Sequence, residues 1–408
     1  MIISVLVLAH PLTEASGPLP LPPVFTATLA VCAVAGAARI GNTTAGPMTI
    51  GREDPARRLG PLTILTRTIA VALLLLVIIA GRFGDDEQLN NLAPPLLIGL
   101  VWPLLLLASA VLGRVWPRID PWDTLARLVA PFGGRSEPAR DTDDDPRRTG
   151  ADVIWAVPLA LVWTWYLSVY PSALEPGIVG GAISVYTIVT LAGCLAVGRQ
   201  TWLSRAEVFG LLFSWIGRLR GGRLATWAPP RGAELVLGVL AGGLIFGVVR
   251  ISRLWGATGA GPQGRWFELG GLAVCAAAGV VLLRVCDRRA GRLGSPGAVT
   301  AAAVPVVAAI GFAVALSRNR LTNSVQLLVR LVSDPLGQGW DLFGTAEFPV
   351  YTALVSGLVR VLAQVAVLLA GGVLGVLAVR RRAGRAHPTV VFAVSVLVGS
   401  GVLAVTAV

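Results

Sequence analysis

The chain alternates between long apolar runs and shorter polar loops, and this pattern limits what it can fold into. A transmembrane helix needs about 20 mainly apolar residues, and ten runs meet or approach that length. Because lipid offers no hydrogen-bond partners to open backbone groups, such runs fold as helices. The sequence therefore predicts an all-α polytopic transmembrane helical bundle of about ten spans, at residues 24–38, 64–80, 92–112, 153–170, 178–197, 235–249, 269–283, 298–316, 354–379 and 390–408.

The arginines are distributed unevenly among the loops. Of the 34 basic residues, all of which are arginine, 25 lie in loops that follow odd-numbered runs and seven in loops that follow even-numbered runs. Positively charged loops stay on the cytoplasmic side of a membrane. The unbroken alternation predicts a multi-pass protein with both termini outside.

The composition excludes several classes of protein. Only 14% of residues are charged and 55% are hydrophobic, whereas soluble domains carry about 25% charged residues. The formal charge of +12 does not indicate nucleic-acid binding, because the arginines lie between apolar runs. Arginine without lysine, together with abundant alanine and glycine, is typical of a GC-rich bacterial genome, which places the protein in the bacterial cytoplasmic (inner) membrane. The four cysteines form no CxxC motif, and we expect no cofactor.

The N-terminal segment, residues 1–23, is predicted to lie outside the membrane. Residues 1–9 resemble the tail of a signal peptide that lacks a basic start. A free external terminus explains the same residues equally well. His10, one of only two histidines, is the one candidate metal ligand in this segment.

Residues 119–152 follow the third run and are predicted to be a cytoplasmic interfacial helix and linker. Residues 119–132 have the pattern of an interfacial amphipathic helix, and residues 135–152 that of a solvated linker. Trp116 is predicted to lie at the interface as well. The run 208–217 is too short to span and is predicted to lie on the cytoplasmic surface or to re-enter the membrane. The predicted apolar face of the amphipathic helix consists of Trp122, Leu125, Leu128 and Val129.

Charged residues within or beside the runs are candidates for function. Arg67 lies early in the second run and is predicted to extend its guanidinium to the inner face. Arg360 lies about two turns into the ninth run, where it either extends outward or pairs with an acid of the preceding loop. Glu268 opens the seventh run and is predicted to be a solvated carboxylate of the outer face.

Small residues and prolines also fall within the runs. Glycines four residues apart let helix backbones approach closely and predict packing within the protein. Such pairs occur at Gly238/Gly242, Gly243/Gly247 and Gly371/Gly375. Prolines interrupt the third, fourth and eighth runs, and they indicate either broken helices that line a cavity or ordinary packing.

Residues 318–353 are predicted to form an ordered outer loop. Its central part, SDPLGQGWDLFGTAEF, combines turn-forming residues with aromatic side chains and three carboxylates. One interpretation is an external vestibule in which Arg360 supplies positive charge, Asp334 and Asp341 order the loop and Trp340 forms a wall. The other is a packed connection in which the aspartates cap short helices.

This loop resembles the corresponding loop of an actinobacterial family of multi-pass membrane proteins named fenitrothion hydrolase-like. Three further stretches are similar: AHPLTEASGPLPLPPVF at the N-terminus, NLAPPLLIGLVWPLLLLASAVLG followed by VWPRIDPW, and GGVLGVLAVRRRAG. The similarity extends over most of the chain. It implies a membrane-bound hydrolase of organophosphate-like esters.

The chain departs from the family pattern at its histidines. The family carries histidines in the span before the SDPLG loop and in the penultimate span, where this chain reads AAAVPVVAAIGFAVAL and LLAGGVLGVLAVRRR. Only His10 remains of that set. Asp120 also replaces the asparagine that is usual in the family.

These observations predict a single integral membrane domain, residues 1–408. We expect a transporter-like protein or a membrane-embedded subunit that handles a small molecule or ion from the outer face, and the absent histidines favour a role without catalysis. The alternatives are the ester hydrolase and a structural partner of another membrane protein. The expected partner is the lipid bilayer, joined by such a membrane protein under the last alternative; no nucleic acid is expected.

Overall fold

A computed structural model describes residues 60–129, 152–252, 255, 265–317, 320–351, 355–383 and 388–406. Within these residues the chain is all-α, with no strand. The α-helices are α1 (Pro61–Phe83), α2 (Trp102–Leu112), α3 (Trp116–Ile119), α4 (Pro121–Val129), α5 (Val157–Ser168), α6 (Pro176–Val197), α7 (Arg199–Arg205), α8 (Val208–Ile216), α9 (Ala233–Val249), α10 (Arg265–Arg292), α11 (Ala298–Leu316), α12 (Arg320–Leu331), α13 (Gly357–Ala383) and α14 (Pro388–Thr406).

Seven helical stretches in the described residues are long and apolar enough to cross a membrane: Pro61–Phe83, Pro95–Leu112, Pro176–Val197, Trp266–Arg292, Ala298–Leu316, Gly357–Arg380 and Pro388–Thr406. Two shorter apolar helices, Ile154–Ser168 and Ala233–Val249, occupy the positions of the fourth and sixth predicted runs. The membrane-type helical bundle is therefore confirmed. The first predicted run, residues 24–38, lies outside the described residues, as do residues 1–23 and nearly all of the 135–152 linker.

The helices run back and forth between two ends. At one end, called here the arginine-rich end, the backbone N–H of Val153 donates to Arg231 at 3.0 Å. A Cβ added to Gly297 would lie 2.6 Å from Pro229 Cδ at the same end. At the opposite end, the N–H of Asp85 donates to Leu336 at 2.9 Å. Arginine-rich and arginine-poor loops thus separate as the alternation predicts, while the side of the membrane that each end faces stays a prediction.

Helix α11 lies in the centre of the bundle. In its apolar window 94% of residues are buried, against 17% in α1. The α11 sequence consists mostly of alanine and valine with one glycine, so neighbouring helices can approach it closely. Helix α1 instead exposes Leu62, Leu65 and Ile69, as expected for a helix at the lipid-facing edge.

The predicted glycine pairs lie at close contacts between helices of the protein. A Cβ at Gly242 would lie 2.0 Å from the carbonyl oxygen of Cys275 on α10, and one at Gly243 would lie 2.4 Å from Thr164 Cβ on α5. Helix α9 therefore has two glycine faces, one for each neighbour. A Cβ at Gly375 would lie 2.5 Å from the carbonyl oxygen of Ala302. The glycine therefore lets α13 pack closely against α11 as well.

The third span is irregular. Residues Pro95–Val101 form a π-helix that continues directly into α2. Pro95 and Pro103 lack the backbone N–H of a regular helix, and π-helical turns are common at functional sites. The third span is thus irregular but continuous, and Trp102 lies at the junction of the π-helix and α2.

Candidate functional site

The most unusual chemistry of the described residues is a group of buried carboxylates at the arginine-rich end. Asp123, in α4, accepts a 2.6 Å hydrogen bond at Oδ2 from Arg67 of α1. Arg127, one turn later, donates to the same oxygen at 3.1 Å, and Arg199 at the start of α7 pairs with Oδ1. Burial alone would raise the pKa of Asp123, but the three guanidinium groups outweigh it and hold the pKa below its usual value.

Arg67 was predicted to extend its guanidinium to the inner face, and this prediction is wrong. It is 6% exposed, and a second nitrogen donates to the carbonyl of Pro117 at 2.7 Å. Glu268 is not simply solvated either, because Arg250 Nε donates to it at 2.6 Å at the opposite end. Both charges are at least partly buried near an end of the bundle, where an ion-pair partner replaces the water that each loses.

Asp120 occupies the turn between α3 and α4. Its Oδ1 accepts the backbone N–H of Asp123 at 2.9 Å, and the residue is buried. Burial raises the pKa of this carboxyl to about 6, and the negative charge of Asp123 contributes to the rise. At neutral pH, Asp120 is therefore a carboxyl group close to its titration range.

Glu207 is completely buried in the turn between α7 and α8. Its carboxyl caps α8 by accepting the N–H of Phe209 at 3.0 Å and of Gly210 at 2.5 Å. The hydroxyl of Tyr186, on α6, also donates to it. Burial raises the pKa of Glu207 to about 8, and the nearby Asp120 raises it further against these three hydrogen bonds.

Helix α8, which Glu207 caps, is buried along almost its whole length. It is therefore packed inside the bundle, and its two predicted placements relative to the membrane both stay predictions. A nine-residue helix is too short to span a bilayer. It begins and ends inside the bundle, where the Glu207 side chain caps its N-terminus and backbone bonds from Gly217 close its C-terminus.

An aromatic cluster packs against α8. Trp102 lies 5.1 Å from Trp163 and 5.3 Å from Phe209, measured between ring centroids. Phe209 in turn lies 5.0 Å from Tyr186 and 6.0 Å from Trp122. The cluster consists of Trp102, Trp116, Trp122, Trp163, Tyr186, Phe209 and Phe213.

Two of these tryptophans lie elsewhere than the sequence predicted. Trp116 and Trp122 were expected at the lipid interface, but both are buried within the bundle. Trp122 Nε1 donates to Thr187 on α6 at 3.1 Å. The predicted amphipathic helix is present as α4, but Leu128, which was assigned to its apolar face, is 65% exposed. Its buried face instead carries Trp122, Asp123 and Ala126.

A small cavity opens near the opposite end of the bundle. Its volume is about 40 Å³. One water molecule needs about 10–15 Å³ of such volume, so the cavity has room for more than one. Trp102, Leu244 and Gly311 line its walls, and Ser317 and Arg320 lie at the end near α12. The cavity therefore extends from Arg320 to the aromatic cluster, along α9 and α11.

A larger cleft of about 540 Å³ lies at the arginine-rich end, against the first turns of the same two helices. It is more open and more polar than the cavity. Glu234 faces Arg284 there at 4.0 Å, and Asp287 accepts the backbone N–H groups of Val299 and Thr300 at the start of α11. Arg231 and Arg288 also line the cleft. Helices α9 and α11 thus border an opening at each end of the bundle.

The predicted vestibule residues lie in and beside the loop at the opposite end. Asp334 accepts the N–H groups of Gln338 and Gly339 at 2.9 and 2.7 Å. Asp341 accepts the hydroxyl of Ser333 at 2.7 Å. Trp340 is 45% exposed, and Arg360 lies in the first turn of α13 rather than two turns into it. None of these four residues is among those that line the cavity, and their vestibule role stays a prediction.

The described residues contain no group of three or more histidine, cysteine, aspartate or glutamate side chains suited to holding a metal ion. His10 lies outside them. Sequence reasoning did not identify Glu207, Asp123 or Tyr186 as site residues. A usable signal was present for Glu207, because a negative charge directly before an apolar helical run is favourable at the positive end of the helix dipole. No sequence signal pairs Tyr186 with it, since 21 residues separate the two.

No family model, no curated protein and no solved structure matches this chain. The resemblance to the fenitrothion hydrolase-like family, and the ester hydrolysis that it implies, therefore stay predictions.

Proposed function

We propose that this multi-pass membrane protein is a transporter that moves a small anionic solute along α9 and α11. The observation that carries the proposal is the pair of openings on these two helices, one at each end of the bundle. A transporter exposes one site alternately to the two sides of the membrane. Two openings that meet the same helices from opposite ends are what such a pathway requires.

The irregular elements beside the pathway support the proposal. Transporter sites are often built from interrupted helices, whose free ends bind ions and solutes. Here the π-helix places Trp102 in the cavity wall. The short α8 begins inside the bundle, next to the same tryptophan, as the 5.3 Å distance between the Trp102 and Phe209 rings shows.

The charges at the two openings favour an anion. Arg320, the first residue of α12, lies at the end of the cavity, where the helix N-terminus adds positive potential. At the cleft, the carboxylates make contacts within the protein, with Asp287 capping α11 and Glu234 facing Arg284. The remaining walls of the cavity are mainly apolar. The cavity volume limits the solute to a few non-hydrogen atoms, such as nitrate, chloride or acetate.

Exchange in proteoliposomes tests the proposal. Vesicles that contain the purified protein are loaded with nitrate, chloride or acetate, and uptake of the labelled anion is followed. Arg320→Gln removes a positive charge from the cavity lining. Arg330→Gln is the control, because it removes a positive charge from the same helix outside the cavity, where Arg330 donates to Asn90. A hydrogen bond to a charged group contributes about 1.5–3 kcal/mol. We therefore expect Arg320→Gln to raise the half-saturating anion concentration at least tenfold and Arg330→Gln to leave it nearly unchanged.

Equal behaviour of the two arginine variants would rule out this cavity as the anion site. Failure of all three anions to exchange through the wild-type protein would count against the proposed transport.

A further inference from the structure

Glu207 has an unused acceptor position. An ionised carboxylate offers about four lone-pair positions. Three are occupied, two at Oε1 by Tyr186 and Phe209 and one at Oε2 by Gly210. The fourth position is on Oε2, in the interior of the protein, since the residue has no exposed surface.

The indole N–H of Trp116 faces the same place. A Cβ at Gly210 would lie 2.4 Å from Glu207 Oε2 and 2.9 Å from Trp116 Nε1, so only a glycine leaves room between the two groups. Trp116 is 6% exposed, and its Nε1 has no hydrogen-bond partner among the described residues. Buried donors are nearly always paired, and this unpaired donor lies beside the open acceptor position of Glu207.

The charges around Glu207 oppose its ionisation. Within the described residues no arginine forms an ion pair with it. The titratable groups that face it are Tyr186 on α6, Asp120 between α3 and α4, and, farther off, Cys194 on α6. Burial and the second carboxylate both favour the protonated form, while the hydrogen bonds from Tyr186 and the start of α8 favour the ionised form. The protonated and ionised forms of the carboxyl are thus each favoured by part of its surroundings.

Glu207 is connected to the cavity through a single residue. Phe209 donates its backbone N–H to the carboxyl, and its ring packs against Trp102, which lines the cavity. A change in the charge or orientation of the Glu207 carboxyl therefore acts directly on the start of α8. The Phe209 ring then passes this change to Trp102 in the cavity wall.

We propose that Glu207 is a reversible proton-binding residue, positioned by Tyr186, and that its protonation accompanies the movement of the anion. The coupling rests on the proposed transport, whereas the proton site does not. When a proton binds, an O–H bond forms at Oε2 and the carboxylate loses its charge. When the proton leaves, that bond breaks and the charge returns, with no change in oxidation state.

Infrared difference spectroscopy of the full-length protein tests the proton site without transport. Burial raises the pKa of Glu207 to about 8, so the carbonyl band of a protonated carboxylic acid should disappear between about pH 6 and about pH 10. Glu207→Gln should lack the part of this change that is centred near pH 8, whereas a change centred near pH 6 belongs to Asp120 and should remain. Glu268→Gln, which alters an ion-paired carboxylate at the opposite end, should retain it.

Tyr186→Phe separates a positioning role from a merely structural one. The variant removes a hydrogen bond that favours the ionised form, so the midpoint of the titration should rise by about one pH unit or more. An unchanged band in Glu207→Gln, or no titration between about pH 6 and about pH 10 in the wild type, would overturn the proton site. A midpoint that Tyr186→Phe does not raise would overturn the role of Tyr186.

Coupling is tested with nitrate as the probe. An inward nitrate gradient across proteoliposomes should acidify an internal pH-sensitive dye, because one proton enters with each anion. Glu207→Gln should retain nitrate exchange at equal pH and lose the acidification. Acidification that survives in Glu207→Gln would overturn the coupling. If the carboxyl titrates but the wild type exchanges no anion, the proposed transport fails and the proton site stands.

Discussion

Arg67 and Asp123 form a buried ion pair, 2.6 Å long, that joins the first described span to a short helix between the spans. Both side chains are less than one-tenth exposed. Asp123 also binds Arg199, so one carboxylate holds α1, α4 and the start of α7 together. The arrangement places an acid among arginines at the end of the bundle where arginines are most numerous.

Loss of one partner of this pair should destabilise the protein strongly. Removing one member of a buried ion pair leaves the other charge uncompensated, at a cost of about 3–5 kcal/mol. We expect Arg67→Ala and Asp123→Asn to lower the unfolding temperature markedly in detergent. Arg127→Ala removes an exposed partner of the same carboxylate, worth about 0.3–0.5 kcal/mol, and serves as the control. A comparable loss in all three variants would contradict the special role of Arg67.

The stability of the protein should decrease as the pH rises from about 4 to about 8. The pKa values of Asp120 and Glu207 are raised to about 6 and about 8 by burial, above the values of about 3.9 and 4.3 in unfolded chains. Between those limits the folded state binds more protons than the unfolded state, so rising pH favours unfolding. Thermal unfolding measured across this range should show the decrease. In Glu207→Gln it should be smaller above about pH 6, and a curve identical to that of the wild type would contradict the assignment.

The close contact between α1 and α6 should tolerate no larger side chain. A Cβ at Gly81 would lie 2.6 Å from the carbonyl oxygen of Pro176 and 2.8 Å from Gly180 Cα. Gly81→Val should therefore separate the helices at a cost of about 1–3 kcal/mol. Gly270→Val makes the same change in another span helix, α10, where nothing lies within 4 Å of the new Cβ. Unfolding temperature and membrane yield should fall for the first variant only.

The arginine-rich end should face the cytoplasm. Cysteines introduced at Ser204, in α7, and at Trp340, in the opposite loop, lie on exposed residues. In intact cells, a maleimide that does not cross membranes should label the cysteine at position 340 and leave the one at 204 unlabelled until the cells are opened. The reverse pattern would invert the predicted topology.

Arg360→Ala tests the predicted external vestibule. If Arg360 supplies positive charge for solute capture, the variant should reduce anion uptake while the amount of protein in the membrane stays unchanged. Uptake equal to that of the wild type would remove Arg360 from the site. Trp340→Ala, at the half-exposed tryptophan of the same loop, provides a second test of that surface.

Most of the fold follows from the sequence, because the bilayer requires long apolar helices and the arginines alternate between loops. The predicted run 178–197, for example, differs from α6 by two residues at one end. The glycine contacts were predictable for the same reason, since spacing on a helix determines which face a residue occupies.

The buried carboxylates were harder to predict. Asp123 and Arg67 are 56 residues apart, and nothing in either segment indicates the other. Trp116 and Trp122 have the composition of interfacial residues, yet α8 folds back into the bundle and covers them. The buried position of α8 depends on the packing of several spans, which a local pattern does not contain.

The burial of α11 has a mechanical consequence. Its neighbours touch a core of small side chains on almost every side, so this helix can act as a fixed pivot for the helices around it. If α9 tilts about that pivot, space gained beside Gly311 is matched by space lost beside Thr300, near the other end of the same axis. One rocking motion would then open the protein towards one compartment and close it towards the other.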